Sequence, residues 1–349
     1  MATNLEFIHK ETISSATVVD MNNVFSDRYD VYVLKWDFSV DTASGGVWNY
    51  LRFKDSGNTI DSGTNYDSAV LHPRTDSTFT EYTLTSKSSM ERMGIQDQLG
   101  GGTIFTIYNP FDSGSYTFVQ CQNSGWDNVS PTRLFGAKGI GVHKVTQSNA
   151  GFRIFNSSVS SMSGTASLYG VKWIMAGSLI KIDEEIVTSA VASVTLGGTN
   201  WDSSYDVYMI VAKAIEVNTN GGNILPRVTA SGIAQSGTNY DRAGKQLRTN
   251  TTFNNSSGTN STAFQIHFAG GTATGEANNF IYYLFNFNNA SEYSFITFEE
   301  TGTDQNAGIL IGNQGGGVHT VAQANDGMQF TSDAGSIDSG TFTLYGLKK

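Results

Sequence analysis

The stretch Tyr29-Asp30-Val31-Tyr32-Val33-Leu34-Lys35-Trp36-Asp37-Phe38 alternates apolar with polar side chains and is rich in residues that favour β-strands. Its first four residues return as Tyr205-Asp206-Val207-Tyr208, and the run that follows to Ala212 is more continuously apolar. Alternation is typical of a strand with one face in a core, and a continuous apolar run is typical of a strand buried on both faces. The stretch therefore predicts a β-fold, and its return indicates that the chain contains the fold twice.

Other motifs repeat in the same order through the two halves of the chain. Each second copy follows the first by roughly 175 residues, which is the length of a whole domain rather than of a solenoid unit. The repeated motifs are Ser-Gly-Thr-Asn-Tyr-Asp at 62–67 and 236–241, Gly-Val-His at 141–143 and 317–319, and Ser-Gly-Thr-x-x-Leu-Tyr-Gly at 163–170 and 339–346. We therefore predict two homologous domains, 1–172 and 187–349, joined by a connector at 173–186.

Short apolar runs and turn-forming residues alternate along both halves. Glycines and clusters of Asn, Asp and Ser separate the runs at short intervals, which is typical of a sandwich or a barrel. Helical periodicity is limited to 87–94, where Met90 and Met93 predict one short helix. The sequence predicts an all-β protein of two tandem antiparallel β-sandwich domains, jelly-roll-like, that arose by internal duplication. It leaves the strand topology open.

The composition excludes several classes of function. The chain has 349 residues, a formal net charge of -10 and 15% charged residues. It has no basic block that could bind nucleic acid. Its single cysteine, Cys121, cannot form an intrachain disulfide or a thiolate metal cage, and we expect it to be a small buried apolar residue. No apolar run reaches the length of a membrane span, and the first residues lack the pattern of a signal peptide. We expect synthesis in a reducing cytoplasm, no membrane partner and no cofactor.

The residues that usually carry catalysis or bind metals form no recognisable motif. Neither the five histidines nor the acids match a zinc, calcium or hydrolase signature. His143 and His319 stand at equivalent places, and we interpret them as hydrogen-bonded structural residues rather than ligands. The acidic pairs Glu184-Glu185 and Glu299-Glu300 are expected on the solvated surface. The sequence therefore predicts no catalytic, cofactor-binding or metal-binding residue and no enzyme activity.

Three tryptophans are candidates for contacts with a partner protein or a glycan: Trp48, Trp126 and Trp173. Trp48 and Trp126 have no counterpart in the second half, and Trp173 lies in the apolar connector. Tryptophan suits such contacts because its large ring buries much apolar area and carries a polar N–H at its edge. Packing in a core or between domains is the competing interpretation of all three.

The repeated motifs resemble those of structural proteins from tailed bacteriophages, especially phages of aquatic bacteria. The residues that carry the resemblance are Tyr-Asp-Val-Tyr at 29–32 and 205–208, Ser-Gly-x-x-Tyr-Asp at 62–67 and 236–241, and the closing Ser-Gly-Thr-x-x-Leu-Tyr-Gly-x-Lys at 163–172 and 339–348. The resemblance implies β-sandwich domains on the virion, in a capsid-associated or tail-associated protein. It implies no catalytic residues and does not choose between head and tail.

The resemblance leads to one functional expectation and two alternatives. We expect a non-enzymatic virion structural protein, assembled in the bacterial host cytoplasm, that decorates or cements the capsid. Its partners would be the major capsid protein, other virion proteins or further copies of itself. The first alternative is a tail-fibre or tail-adaptor protein that recognises a host surface glycan. The second alternative is a polysaccharide-degrading enzyme. The sequence shows no repetitive shaft, and this absence favours the capsid or a compact adaptor over a long fibre.

Overall fold

A computed structural model describes residues 5–41, 46–75, 79–127, 133–158, 160–171, 179–265, 270–306 and 308–347. The chain divides into two compact units, one of Leu5–Lys172 with Leu247–Thr252 and the other of Trp173–Gln246 with Phe253–Lys349. We call residues 5–171 domain 1 and residues 179–347 domain 2. Each is described by itself.

Domain 1 is an antiparallel sandwich of one large and one small sheet. Its strands are β1 (Leu5–Ala16), β2 (Val18–Met21), β3 (Val31–Val40), β4 (Val47–Lys54), β5 (Tyr66–His72), β6 (Thr80–Lys87), β7 (Ile95–Gln96), β8 (Gly101–Tyr108), β9 (Thr117–Asp127), β10 (Arg133–His143), β11 (Gly151–Asn156) and β12 (Met162–Val171). The eight-stranded sheet has the order β1-β12-β3-β8-β9-β10-β5-β6, and the four-stranded sheet has the order β2-β11-β4-β7. Apolar side chains from both sheets form one buried core.

Domain 2 repeats this architecture. Its strands are β13 (Leu179–Val187), β14 (Ser193–Gly197), β15 (Val207–Val217), β16 (Ile224–Ala230), β17 (Ile233–Ala234), β18 (Tyr240–Arg248), β19 (Asn254–Ser261), β20 (Asn278–Phe285), β21 (Ser294–Thr303), β22 (Leu310–His319), β23 (Gly327–Ser332) and β24 (Ile337–Leu347). Its large sheet has the order β13-β24-β15-β20-β21-β22-β18-β19, which is the order of domain 1 strand for strand. The prediction of two tandem antiparallel β-sandwich domains is confirmed.

The two copies differ in the fourth strand of the small sheet. In domain 1 this strand is β7, which pairs with the start of β4 at Val47 and Trp48. In domain 2 it is β17, which follows β16 directly and pairs with its end at Thr229 and Ala230. Each domain therefore completes its small sheet with a different part of the chain.

Two local predictions need correction or refinement. The sequence predicts a connector at 173–186, but residues 179–186 lie in β13, which pairs with β24 as β1 pairs with β12. Residues 173–178 lie outside the described part of the chain. The predicted helix at 87–94 is wrong: Met90 exchanges two backbone hydrogen bonds with Leu51, and Arg92 has a positive φ of 60°. The two buried methionines reach the core from an irregular segment beside β4, because its backbone pairs with that strand instead of with itself.

Candidate functional site

The tyrosines that end the Tyr-Asp-Val-Tyr motif serve the fold. Tyr32 and Tyr208 are completely buried. The Tyr32 hydroxyl donates to the carbonyl of Ser26 at 3.0 Å, and the Tyr208 hydroxyl donates to the carbonyl of Asp202 at 2.7 Å. Both bonds satisfy a buried hydroxyl with a backbone group six residues earlier. The motif thus fixes the loop that enters β3 and β15, and it leaves no free group for chemistry.

A second pair of equivalent residues also serves the fold. The Asn149 amide donates to the Thr117 hydroxyl at 2.8 Å, and the Asn325 amide donates to the Ser294 hydroxyl at 2.8 Å. In domain 1 the Gln147 amide donates to the side-chain oxygen of Asn149 at 3.0 Å, and in domain 2 the Gln323 amide donates to that of Asn325 at 2.9 Å. This relay ties the segment after β10 or β22 to the start of the neighbouring strand. The shared asparagines are therefore structural.

The equivalent histidines differ in their partners. His143 is fully buried at the end of β10, and its Nε2 lies 2.7 Å from Oδ2 of Asp61. Burial opposes the ionisation of Asp61, but hydrogen bonds from His143, Asn65 and the Gly63 N–H outweigh it and lower the pKa of the carboxyl. Burial lowers the pKa of His143, against the opposing effect of Asp61. The expectation of a hydrogen-bonded histidine holds for His143.

His319 departs from that expectation. It is 1% exposed at the end of β22, and neither ring nitrogen has a hydrogen-bond partner among the described residues. The reason is a substitution: domain 2 has Gln235 at the place of Asp61, and the Gln235 amide donates to the carbonyl of Ile233 instead. Burial lowers the pKa of His319, so the neutral ring is favoured. With no nucleophile bonded to either imidazole, the pair carries no catalytic arrangement.

The expectation for Glu300 is wrong, because this carboxyl lies in the core of domain 2 rather than on the surface. Glu300 is completely buried, and the Tyr282 hydroxyl donates to its Oε1 at 2.7 Å. Burial raises the pKa of Glu300 to about 8, although hydrogen bonds from Tyr282 and Asn313 and the charge of Arg242 favour ionisation. Domain 1 has Asn123 at this place, so the acid is specific to domain 2. The carboxyl is therefore enclosed in the core, where the Tyr282 hydroxyl holds its Oε1.

The remaining residues of interest behave more simply. Cys121 is buried in the core of domain 1, as the sequence predicts. Glu185 is exposed, and Glu184 is half-buried beside Lys181, whose Nζ lies 2.9 Å from its carboxylate. No group of three His, Cys, Asp or Glu residues in the described ranges could hold a metal ion. No helix of the described chain is long and apolar enough to cross a membrane.

Trp48 belongs to a packed aromatic cluster. Its ring stacks on that of His72, with centroids 4.6 Å apart, and lies edge-on to Phe135. The Arg92 guanidinium lies 4.8 Å from the centre of the Trp48 ring and 4.1 Å from that of Tyr82. Burial lowers the pKa of His72 to about 4, so the stacked imidazole is neutral. Trp48 therefore fits the interpretation of core packing better than that of a glycan contact. The third candidate, Trp173, lies outside the described residues.

Trp126 lies on the opposite face of the large sheet of domain 1 from the core. Side chains alternate along a strand, so Trp36 and Phe38 point into the core while Asp37 and Ser39 point away from it. The same alternation places Trp126 on the outer face of β9, beside Leu134 of β10. Glycines occupy the corresponding outer positions of β8, which lies between β3 and β9. The missing side chains leave a groove along β8.

This groove, the Trp126 groove, has a volume of about 570 Å³. Gly100 and Gly102 form its floor, Trp126 and Ser124 form one wall, and Asp37 and Ser39 form the other. Since β3 and β9 are both neighbours of β8, their backbones lie about 9–10 Å apart. Gly100 has a φ of 89°, which only glycine adopts without strain. Exposed Leu99 and Leu134 lie at the rim.

Domain 2 has a different groove on its large sheet. Phe285, Phe295 and Val318 line a cavity of about 460 Å³ above Gly316. The groove exists because Gly316 stands where domain 1 has Ile140. Phe295 is 44% exposed, so this surface, the Phe295 groove, presents an aromatic side chain to solvent. Sequence reasoning missed it, although the Gly315-Gly316-Gly317 run, which lies within β22, is a signal that side chains are missing along that strand.

Comparisons with known proteins add little to this geometry. No family model and no curated protein matches the chain. Domains LG4-5 of the mouse laminin alpha1 chain align with 99% of this chain and 90% of their own, at 10% identity and a TM-score of 0.20. A GH43 protein mutant, BlXynB from Bacillus licheniformis, aligns over 70% of this chain and 62% of its own, at 7% identity and a TM-score of 0.20. Similarities this weak carry no argument about activity.

Proposed function

We propose that this chain is a non-enzymatic structural protein of a tailed-bacteriophage virion that decorates or cements the capsid. The observation that carries the proposal is a contrast between shared and unshared residues. The residues that the two domains share, such as Tyr32 with Tyr208 and Asn149 with Asn325, hold the fold together. The exposed grooves are unshared, so each domain offers its own surface for attachment. The resemblance of the repeated motifs to phage structural proteins implies that this attachment is to a virion.

The Phe295 groove is the surface that suits a protein partner. Its lining is almost wholly apolar, and exposed aromatic side chains in a concave surface are typical of protein contacts. In this proposal the partner is the major capsid protein or another virion protein, and further copies of the chain are compatible with it. Two domains that attach together would raise the overall affinity if both contacts form at once.

A reconstitution experiment tests the proposal. Purified protein is mixed with capsids that lack it and, separately, with host cells; saturable binding to capsids is expected. Phe295→Asp should abolish that binding, because the charge would enter an apolar contact. Ile233→Asp, at a side chain that is 68% exposed in the same domain, is the matched control. Binding to cells alone, or capsid binding unaffected by Phe295→Asp, would contradict the proposal.

The second candidate function is recognition of a glycan on the host surface. It is favoured by one observation, the Trp126 groove of domain 1, in which an aromatic ring faces a carboxylate across a glycine floor. A virion protein could combine both functions, since the two grooves lie on different domains.

A further inference from the structure

We propose that the Trp126 groove binds an uncharged polysaccharide. The inference names the ligand class for the glycan recognition given above as the second candidate function, on which it rests, and it does not depend on attachment to virion proteins. It rests on the shape of the groove, the aromatic wall and the carboxylate wall, each of which is a separate property of the outer face of β3, β8 and β9. Domain 2 does not have this combination, because Thr303 stands at the place of Trp126.

The floor is a surface that a chain of sugar rings could lie on. Gly102 lies on the outer face of β8, and Gly100 lies just before that strand begins, so neither position of the floor carries a side chain. A β-carbon on Gly102 would lie 3.1 Å from Oδ1 of Asp37, and it would therefore project into the groove. The floor exposes backbone, and the Asp37 carboxylate stands at its edge beside Gly102.

Trp126 is available for stacking, unlike Trp48. Its side chain is half-buried and makes no ring contact or hydrogen bond with any described residue. A tryptophan held by the sheet at one edge of a groove offers a rigid apolar face at low entropic cost. Sugar rings have apolar C–H faces that match such a platform.

The opposite wall selects the chemistry of the ligand. Asp37 is exposed, and its carboxylate has no hydrogen-bond or ion-pair partner in the described ranges. An ionised carboxylate only accepts hydrogen bonds, so it favours a ligand rich in hydroxyl donors. The Ser124 hydroxyl of the other wall can donate or accept. A purely apolar ligand would leave Asp37 buried without a partner, which is costly.

The charge of the groove excludes anionic chains. Among the described residues that line it, Asp37 is the only charged one, and the whole protein carries a net charge of -10. Sulfated or uronic-acid polysaccharides would be repelled, whereas neutral hexose chains would not. The proposed ligand class is therefore a neutral polysaccharide of hexose or N-acetylhexosamine units.

Isothermal titration of the full chain with hexasaccharides of glucose, galactose, mannose and N-acetylglucosamine tests the proposal, with dextran sulfate as the anionic probe. We expect at least one neutral hexasaccharide to bind, Trp126→Ala to weaken binding at least tenfold, and Asp37→Asn to weaken it severalfold. Gly102→Ala should also weaken binding while leaving the fold intact, because its β-carbon meets only the movable end of Asp37.

Controls separate this proposal from the attachment function. Phe7→Ala removes an aromatic ring that is 58% exposed elsewhere in domain 1 and should leave sugar binding unchanged. Trp126→Ala should leave capsid binding unchanged, so loss of one activity is distinguishable from loss of the other. Failure of every neutral hexasaccharide to bind, binding of dextran sulfate alone, or full affinity in Trp126→Ala would each overturn the proposal.

Discussion

Gly346 lies directly against the ring of Tyr205, and a β-carbon on Gly346 would come within 2.2 Å of ring carbon Cδ2. The same relationship holds in domain 1, where a β-carbon on Gly170 would come within 2.6 Å of the ring of Tyr29. The contact explains why two distant motifs repeat together. The first tyrosine of Tyr-Asp-Val-Tyr needs the glycine of Leu-Tyr-Gly, since any larger residue would displace the ring.

Gly346→Ala should therefore destabilise domain 2 by about 1–3 kcal/mol, the usual cost of forcing an extra carbon into a packed site. The measurement is the free energy of unfolding in urea. Gly258→Ala is the control, because a β-carbon there would lie 3.3 Å from the Ser261 hydroxyl and at ordinary contact distance, 3.7 Å, from Nε of Arg242. Equal stability of Gly346→Ala and the wild-type protein would show that the Tyr205 ring can move aside.

Leu344 tests the alignment of the two copies. It is completely buried in the core of domain 2, as Leu168 is in domain 1. Truncation of a buried leucine to alanine typically costs about 2–5 kcal/mol, so Leu344→Ala and Leu168→Ala should each lower the melting temperature clearly. Ile233→Ala, at an exposed side chain, should not. A Leu344→Ala protein that melts like the wild type would be incompatible with the core described here.

The repeat made most of the fold predictable, because matched motifs identify equivalent strands without any knowledge of their partners. The prediction from the repeat failed where the two copies differ. The 87–94 segment has helical spacing of Met90 and Met93, but its backbone bonds are made with β4, and such long-range pairing leaves no local signal. The sequence predicts a connector where β13 lies, because the pairing partner of this strand, β24, is at the other end of the domain and leaves no local signal.

The site was predictable only in part. Trp126 was a candidate from the sequence, but Asp37 was not, because the groove depends on which residues of β3, β8 and β9 become neighbours. Glu300 could have been identified: adjacent residues of a strand face opposite sides, and Glu300 has the same phase as buried Ile296 and Phe298. A pair of acids within a strand therefore cannot both face water when the other side is a core.

The Asp61–His143 pair predicts a difference between the domains. Asp61→Ala leaves the buried His143 ring without its only hydrogen-bond partner among the described residues, so we expect a loss of about 1–3 kcal/mol. Gln235→Ala changes the equivalent residue of domain 2, which makes no hydrogen bond to His319, and should change stability by less than about 0.5 kcal/mol. Urea unfolding of both variants measures the difference. Equal effects would mean that the pair contributes nothing specific.

Glu300 predicts how stability depends on pH. Its pKa is raised to about 8 in the folded protein, so between its ordinary value and pH 8 the folded state keeps a proton that the unfolded state releases. Stability from this group is therefore complete at low pH and falls as pH rises towards 8, by up to about 1.4 kcal/mol per pH unit.

The variant Glu300→Gln removes this titration while keeping an oxygen that can accept the Tyr282 hydroxyl. Its free energy of unfolding, measured from pH 5 to pH 9, should exceed that of the wild type increasingly as pH rises. Glu299→Gln is the matched control, because the neighbouring side chain is only half-buried and faces away from the core. If the difference between Glu300→Gln and the wild type stayed constant across this range, the carboxyl would not be protonated in the folded protein, and Arg242 would have to balance its charge.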